Sequence, residues 1–174
     1  MTELINMNKI KNMLLKYKKG DELEIRKGSF FNKFSATIPI KEFNQYFYYF
    51  KQKYNYTIQY STIYYYKNHT KKVCYKNGDK KGQSEIIRKY KKQYIDLPKN
   101  GLRISLSQEK LLTHVKSPIT YEISRVRYIF LLKNYKIELS VDKTIHQRYI
   151  HRYEIECTNI PDIGTIYEII NVMK

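Results

Sequence analysis

The chain has 174 residues, 42% of them hydrophobic, and a formal net charge of +17 from 33 Lys and Arg against 16 Asp and Glu. That hydrophobic share is enough for residues 1–174 to fold as one domain around a core, and the charge balance favours polyanionic partners: nucleic acid, nucleotides, polyphosphate or an acidic membrane surface. No apolar run approaches the roughly 18 residues of a membrane span. The first residues lack the apolar core of a signal peptide, and Cys74 and Cys157 stand far apart, outside any metal-binding spacing. A reducing, cytoplasmic setting without membrane insertion is therefore expected.

In chain order, residues 3–17 place Leu4, Ile5, Met7, Ile10, Met13 and Leu14 at helical spacing, with Gly20 as the stop. A short strand follows over Asp21-Glu22-Leu23-Glu24-Ile25-Arg26-Lys27-Gly28. A second helix is predicted over residues 39–53, with Pro39 in its first turn and Phe43, Tyr46, Phe47 and Phe50 on one stripe. From Tyr56 onward the pattern is short alternating runs separated by turn signals, including Asn77-Gly78, Asn100-Gly101 and Lys133-Asn134, so seven or eight antiparallel strands are expected. A last helix is predicted after Pro161, reaching Met173. The fold class is α+β, mainly β.

Alternate residues of a strand face opposite sides, so each run divides into two faces. Glu22, Glu24 and Arg26 oppose Leu23 and Ile25. Arg103, Ser105, Ser107 and Glu109 oppose Leu102, Ile104 and Leu106. Arg125 and Arg127 oppose Val126 and Tyr128. Lys136, Glu138, Ser140 and Asp142 oppose Ile137, Leu139 and Val141. Glu154 and Glu156 oppose Tyr153, Ile155 and Cys157. A single such strand is ordinary for a sheet with one wet face. Here, however, acids gather on the first and last strands and bases on those between.

If the sheet closes, Glu22, Glu24, Glu154 and Glu156 converge. Such carboxylates repel unless a cation sits among them or some take up protons. Carboxylate oxygens suit hard divalent ions, Mg2+ or Mn2+, the metals of phosphate chemistry. Facing arginines and lysines would hold phosphates, giving a polar-lined barrel with its apolar residues turned outward under the helices.

The runs ELEIR, RISLSQE, SRVRY, KIELSVDK and YEIE together resemble the triphosphate tunnel metalloenzymes, in particular the metal-dependent RNA 5′-triphosphatase domain of viral mRNA-capping enzymes of the poxvirus and giant-virus type. The resemblance spans residues 21–157. It implies a closed antiparallel eight-stranded tunnel with flanking helices that removes the γ-phosphate from triphosphate-ended RNA. By position, Glu22, Glu24 and Glu156 resemble metal ligands, with Glu154 beside them. Arg26, Arg103, Arg125 and Arg127 fall to phosphate contact. In SEIIRKYKK, Lys89 resembles a tunnel lysine, with Arg88 or Lys91 as alternatives under another register. Glu109 closes the RISLS strand, Glu138 stands where many relatives have Asp, and Lys143 is the basic residue after it. Either Glu138 or Glu109 would orient the attacking water. Asp142 departs from the apolar residue expected at its position.

The implied partners are 5′-triphosphate RNA, nucleoside triphosphates and other capping-enzyme domains or subunits, in the cytoplasm, a viral factory or the virion. No K-x-D-G motif is present, so guanylyl transfer belongs elsewhere. Nor is there a P-loop, a dinucleotide glycine pattern or a cysteine-arginine phosphatase loop. Two other readings stay open: a tunnel enzyme acting on tripolyphosphate or nucleoside triphosphates, and a basic β-barrel that binds RNA without catalysis.

Overall fold

The computed structural model describes residues 2–174, apart from the side chains of residues 2–5, 91 and 92. In chain order it contains α1 (Thr2–Leu14), β1 (Asp21–Lys27), β2 (Ser29–Phe31), β3 (Lys33–Ser35), α2 (Ile40–Lys53), β4 (Tyr56–Tyr66), β5 (Thr70–Tyr75), β6 (Ser84–Leu97), β7 (Leu102–Leu112), β8 (Ile119–Leu131), β9 (Tyr135–Thr144), β10 (Tyr149–Cys157) and α3 (Ile163–Val172). Eight strands close into a barrel in the order β1-β10-β9-β8-β4-β5-β6-β7, while β2 and β3 form a separate hairpin. The barrel is antiparallel throughout. Closure leaves no long unpaired edge.

The first and last strands meet. Leu23 and Ile25 of β1, Leu102, Ile104 and Leu106 of β7, Ile137 and Leu139 of β9, and Tyr153 and Ile155 of β10 turn outward into one buried cluster with Ile10 and Met13 of α1, Phe43 and Phe50 of α2, and Ile166 and Ile169 of α3. The helices thus cover the outer wall of these strands and fix which face looks inward. A shift by one residue would expose the apolar set and bury the charges against the helices.

Three local features differ from expectation. The first helix ends at Leu14, and Tyr17 and Lys16 finish it with tight contacts, Lys16 N–H to Met13 O at 3.0 Å and Tyr17 N–H to Leu14 O at 3.1 Å. Such contacts satisfy the terminal carbonyls before Gly20 turns the chain. Residues 29–35 form an unforeseen hairpin, turned at Asn32 with φ of 60°. Gly28 permits it, because a Cβ there would lie 2.0 Å from Ser35 O.

The third difference concerns the barrel interior. Ile63, Val73, Ile87 and Ile123 form a second buried cluster with Tyr65 and Tyr75 against it. The ladder places these residues on the same face as Arg125 and Lys71, pairing Ile63 with Val73 and Ile123. Apolar residues therefore turn outward on the β1, β7, β9 and β10 wall, whereas part of the opposite wall is apolar inside. That inner cluster narrows the lumen and leaves the charged chemistry to the rest of its lining.

Candidate active site: a charged tunnel

The register between β1 and its neighbours builds the centre. Glu24 pairs with Glu156 and Arg26 with Glu154 across β10, while Glu22, Glu24 and Arg26 pair with Ser107, Ser105 and Arg103 across β7. Direct partners in a ladder share a face. The four glutamates of the two E-x-E runs therefore line one cavity of about 210 Å³, together with Lys71, Glu85, Lys89, Glu109, Arg125, Arg127, Lys136 and Glu138. Seven of the chain's 16 acids are in this lining, against six lysines and arginines, so the chain's excess of positive charge lies elsewhere.

Each of the four glutamates faces a cation. Lys89 Nζ is 2.7 Å from Glu22 and 2.9 Å from Glu24. Arg26 Nε donates to Glu24 and, at 2.8 Å, to Glu154. Lys136 Nζ bridges Glu156 at 2.8 Å and Glu138 at 3.0 Å, and Arg127 lies 3.2 Å from Glu138. Ser107 Oγ donates to Glu22 at 3.4 Å.

Burial and like charge divide these carboxyls. Burial, then the neighbouring Glu154 carboxyl, diagonal to it across β10, pushes Glu24 up to about 8. Burial also pushes Glu156 up to about 7, although Lys136 works against it. Burial would raise Glu154 as well, but Arg26, with Arg125 and Arg127, outweighs it and holds that carboxyl well below its ordinary value. Lys89 likewise overcomes burial at Glu22 and lowers it. Glu24 and Glu156 are thus the raised members of the cluster and Glu22 and Glu154 the lowered ones, as crowding of carboxylates produces.

Among the described residues, no three acidic, histidine or cysteine side chains are drawn together into a finished metal cage. Lys89, Arg26 and Lys136 stand between the glutamates instead. The donor set nonetheless fits a hard divalent cation: it is all carboxylate oxygen, it lies on adjacent strands of one face, and Glu24 and Glu156 carry the raised carboxyls that a dication would discharge.

The remaining sequence-derived candidates separate by position. Arg125 is buried and donates through Nε and Nη2 to Asp142 at 2.6 and 2.8 Å, and Asp142 also accepts from Arg152 Nε at 2.9 Å. That explains the acid at an expected apolar position: Asp142 faces the lumen, 1% exposed, and holds two guanidiniums. Arg103 stands at one mouth, where Asp96 accepts from it at 2.5 and 2.8 Å and its guanidinium lies 4.6 Å from the centre of the Phe34 ring and 4.3 Å from that of Tyr94. Glu109 is within 4.0 Å of both Lys71 and Lys89.

Two candidates do not reach the lumen. Lys143 shares the outer face with Ile137, Leu139 and Val141 by strand alternation, and its Nζ lies 5.8 Å over the Tyr149 ring. Arg88 alternates away from Lys89 and donates to Thr70 Oγ1 at 3.0 Å outside the barrel. Of Arg88 and Lys89, Lys89 is the one that enters the lumen. Lys91 pairs through its backbone with Ser107, and its side chain lies outside the described set.

Several lumen residues escaped sequence reading. Arg152 continues the alternation of Glu154 and Glu156 by one step and was available from extending that run. Lys71 sits in TKKVCY, where inner Val73 and Tyr75 remove any polar and apolar alternation. Burial lowers the pKa of Lys71 despite nearby Glu109.

The architecture matches solved structures. The RNA triphosphatase Pct1 of S. pombe aligns with a TM-score of 0.75 over 99% of this chain and 89% of that chain, at 14% identity. The same protein in complex with the Spt5 CTD gives 0.70 at 15% identity, covering 99% of this chain and 90% of that one. The RNA triphosphatase domain of the trifunctional mimivirus mRNA-capping enzyme gives 0.69 at 18% identity, covering 96% and 95%. The chain has the RNA triphosphatase tunnel fold. No family model and no curated protein matches it by sequence. At these identities the likeness establishes the fold, and the chemistry has to be argued from the lumen.

Proposed function

We propose that the protein is a metal-dependent RNA 5′-triphosphatase, releasing the γ-phosphate of triphosphate-ended RNA as the first step of mRNA capping. The observation that carries this reading is the meeting of both E-x-E runs on one face inside a closed barrel, ringed by arginine and lysine. The shared fold with RNA triphosphatases supports it.

Glu22, Glu24 and Glu156, with Glu154 beside them, would hold Mg2+ or Mn2+, which when bound neutralises charge on phosphate oxygens. The chain's own cations do the rest of the positioning. Arg26, Lys89, Lys71, Arg125 and Arg127 line the lumen and would contact the phosphates. Asp142 fixes the direction of Arg125, so one guanidinium is preorganised before substrate arrives. Glu138, held by Lys136 and Arg127, would orient water in line with the β–γ bond, which the contacts of its carboxylate support. Attack at phosphorus then releases orthophosphate and leaves a 5′-diphosphate end. Guanylyl transfer is assigned to another domain or subunit.

The test is orthophosphate release from RNA bearing a 5′-triphosphate, with the RNA product analysed for a 5′-diphosphate. Release in Mg2+ or Mn2+ and none in chelator is expected. Salt-sensitive RNA binding without release from folded protein would instead favour a binding barrel.

A further inference from the structure

The two ends of the tunnel are chemically unlike. Toward Glu22, Glu138 and Glu156 the lining has seven glutamates against six lysines and arginines. Toward the other mouth, a cavity of about 670 Å³ is lined by two glutamates against six lysines and arginines, with Asp96 and Asp142 behind them binding Arg103, Arg125 and Arg152. Glu24, Arg26, Lys71, Lys89, Arg125 and Glu154 line both and mark the middle.

The aromatic residues divide the same way. At the basic mouth Tyr65 and Tyr121 stack with ring centres 4.3 Å apart and planes 12° from parallel, and Tyr121 remains 55% exposed. Across that cavity Phe34, carried on the β2–β3 hairpin, lies against the Arg103 guanidinium. The acidic end offers Tyr75, whose hydroxyl donates to Glu85 at 2.7 Å.

We infer that substrate occupies the tunnel in one polarity: the 5′-terminal nucleoside rests at the basic mouth among Phe34, Tyr65 and Tyr121, and the γ-phosphate points toward Glu22, Glu138 and Glu156. The inference rests on the triphosphatase reading above. Bases stack on exposed aromatic faces whatever their sequence, and an RNA backbone outside the tunnel is drawn to Arg103 and Arg152 and repelled by Glu85 and Glu109. The same polarity places the terminal phosphate beside Glu138.

The test uses the full chain and RNA ending in a β,γ-methylene triphosphate, with 6-thioguanosine as its first base. Irradiation should crosslink that base to peptides containing Phe34 or Tyr121. In parallel, Phe34→Ala and Tyr121→Ala should raise KM for triphosphate RNA relative to inorganic tripolyphosphate about tenfold, the loss of one stacked base. Crosslinks confined to peptides with Tyr75 or Glu85, or equal KM changes for both substrates, overturn the polarity while leaving the hydrolase reading intact. Failure of the wild-type chain to hydrolyse any triphosphate overturns both.

Discussion

Glu24 of β1 lies directly across from Glu156 of β10, so the first and last strands of the barrel join through two carboxylates on the lumen face. Both carry raised pKa values, to about 8 and about 7. Lys89 and Arg26 contact Glu24, and Lys136 contacts Glu156.

The sign of the pH effect follows. A carboxyl raised on folding adds stability below its unfolded value near 4.5 and loses it as pH rises through the folded value. In chelator, melting temperature should therefore fall between about pH 5 and pH 8 through Glu24 and Glu156. The lowered carboxyls, Glu22 and Glu154, act below that window. Mn2+ affinity should tighten over the same window, with proton release, as calorimetry in buffers of different ionisation enthalpy would register. Affinity that is flat with pH would count against carboxyl discharge.

Lys89 Nζ stands between Glu22 and Glu24, where the proposed dication would compete with it. Lys89→Met removes the cation at Glu22 and leaves Glu24 to Arg26 alone, so melting in chelator should drop, and the rise on adding Mn2+ should exceed that of the wild type. A smaller rise would mean that Lys89 helps the ion rather than substituting for it.

Asp142 is 1% exposed between Arg125 and Arg152. Breaking a buried pair from one side leaves charge without compensation, so Asp142→Ala should lower stability by about 3 kcal/mol in urea denaturation. A double-mutant cycle with Arg125→Ala should return a coupling well above the error of the fit.

Glu138→Gln should reduce kcat by about 100-fold or more, the usual scale for a residue that handles the proton of the nucleophile. Glu109→Gln should change it less than Glu138→Gln, because Glu109 is exposed and its contacts to Lys71 and Lys89 are 3.9 and 4.0 Å. The reverse order would move the water-orienting role to Glu109.

Much of this was readable because alternation carries it. Once Leu23 and Ile25 are taken as the buried face, Glu22, Glu24 and Arg26 must share the other, and the same holds for Ile137 and Leu139 against Glu138. Lys143 fails by that very rule, being odd in parity with the outer residues. What alternation cannot give is the inward apolar cluster at Ile63, Val73, Ile87 and Ile123, where both strand faces are apolar or mixed. Nor does it give pairing: Asp142 finds Arg125 only once β8 and β9 are in register. The Phe34 hairpin depends on the close approach at Gly28, a fact of three dimensions.

The most direct test of the central claim compares wild type with Glu24→Ala for γ-phosphate release from 5′-triphosphate RNA, with Mn2+, with Mg2+ and with chelator, after circular dichroism has shown both proteins folded. The account predicts metal-dependent release by the wild type and a loss of at least 100-fold in the variant, on the scale of removing a charge-stabilising group from an active site. Release that persists in chelator, or that survives in Glu24→Ala, would contradict it.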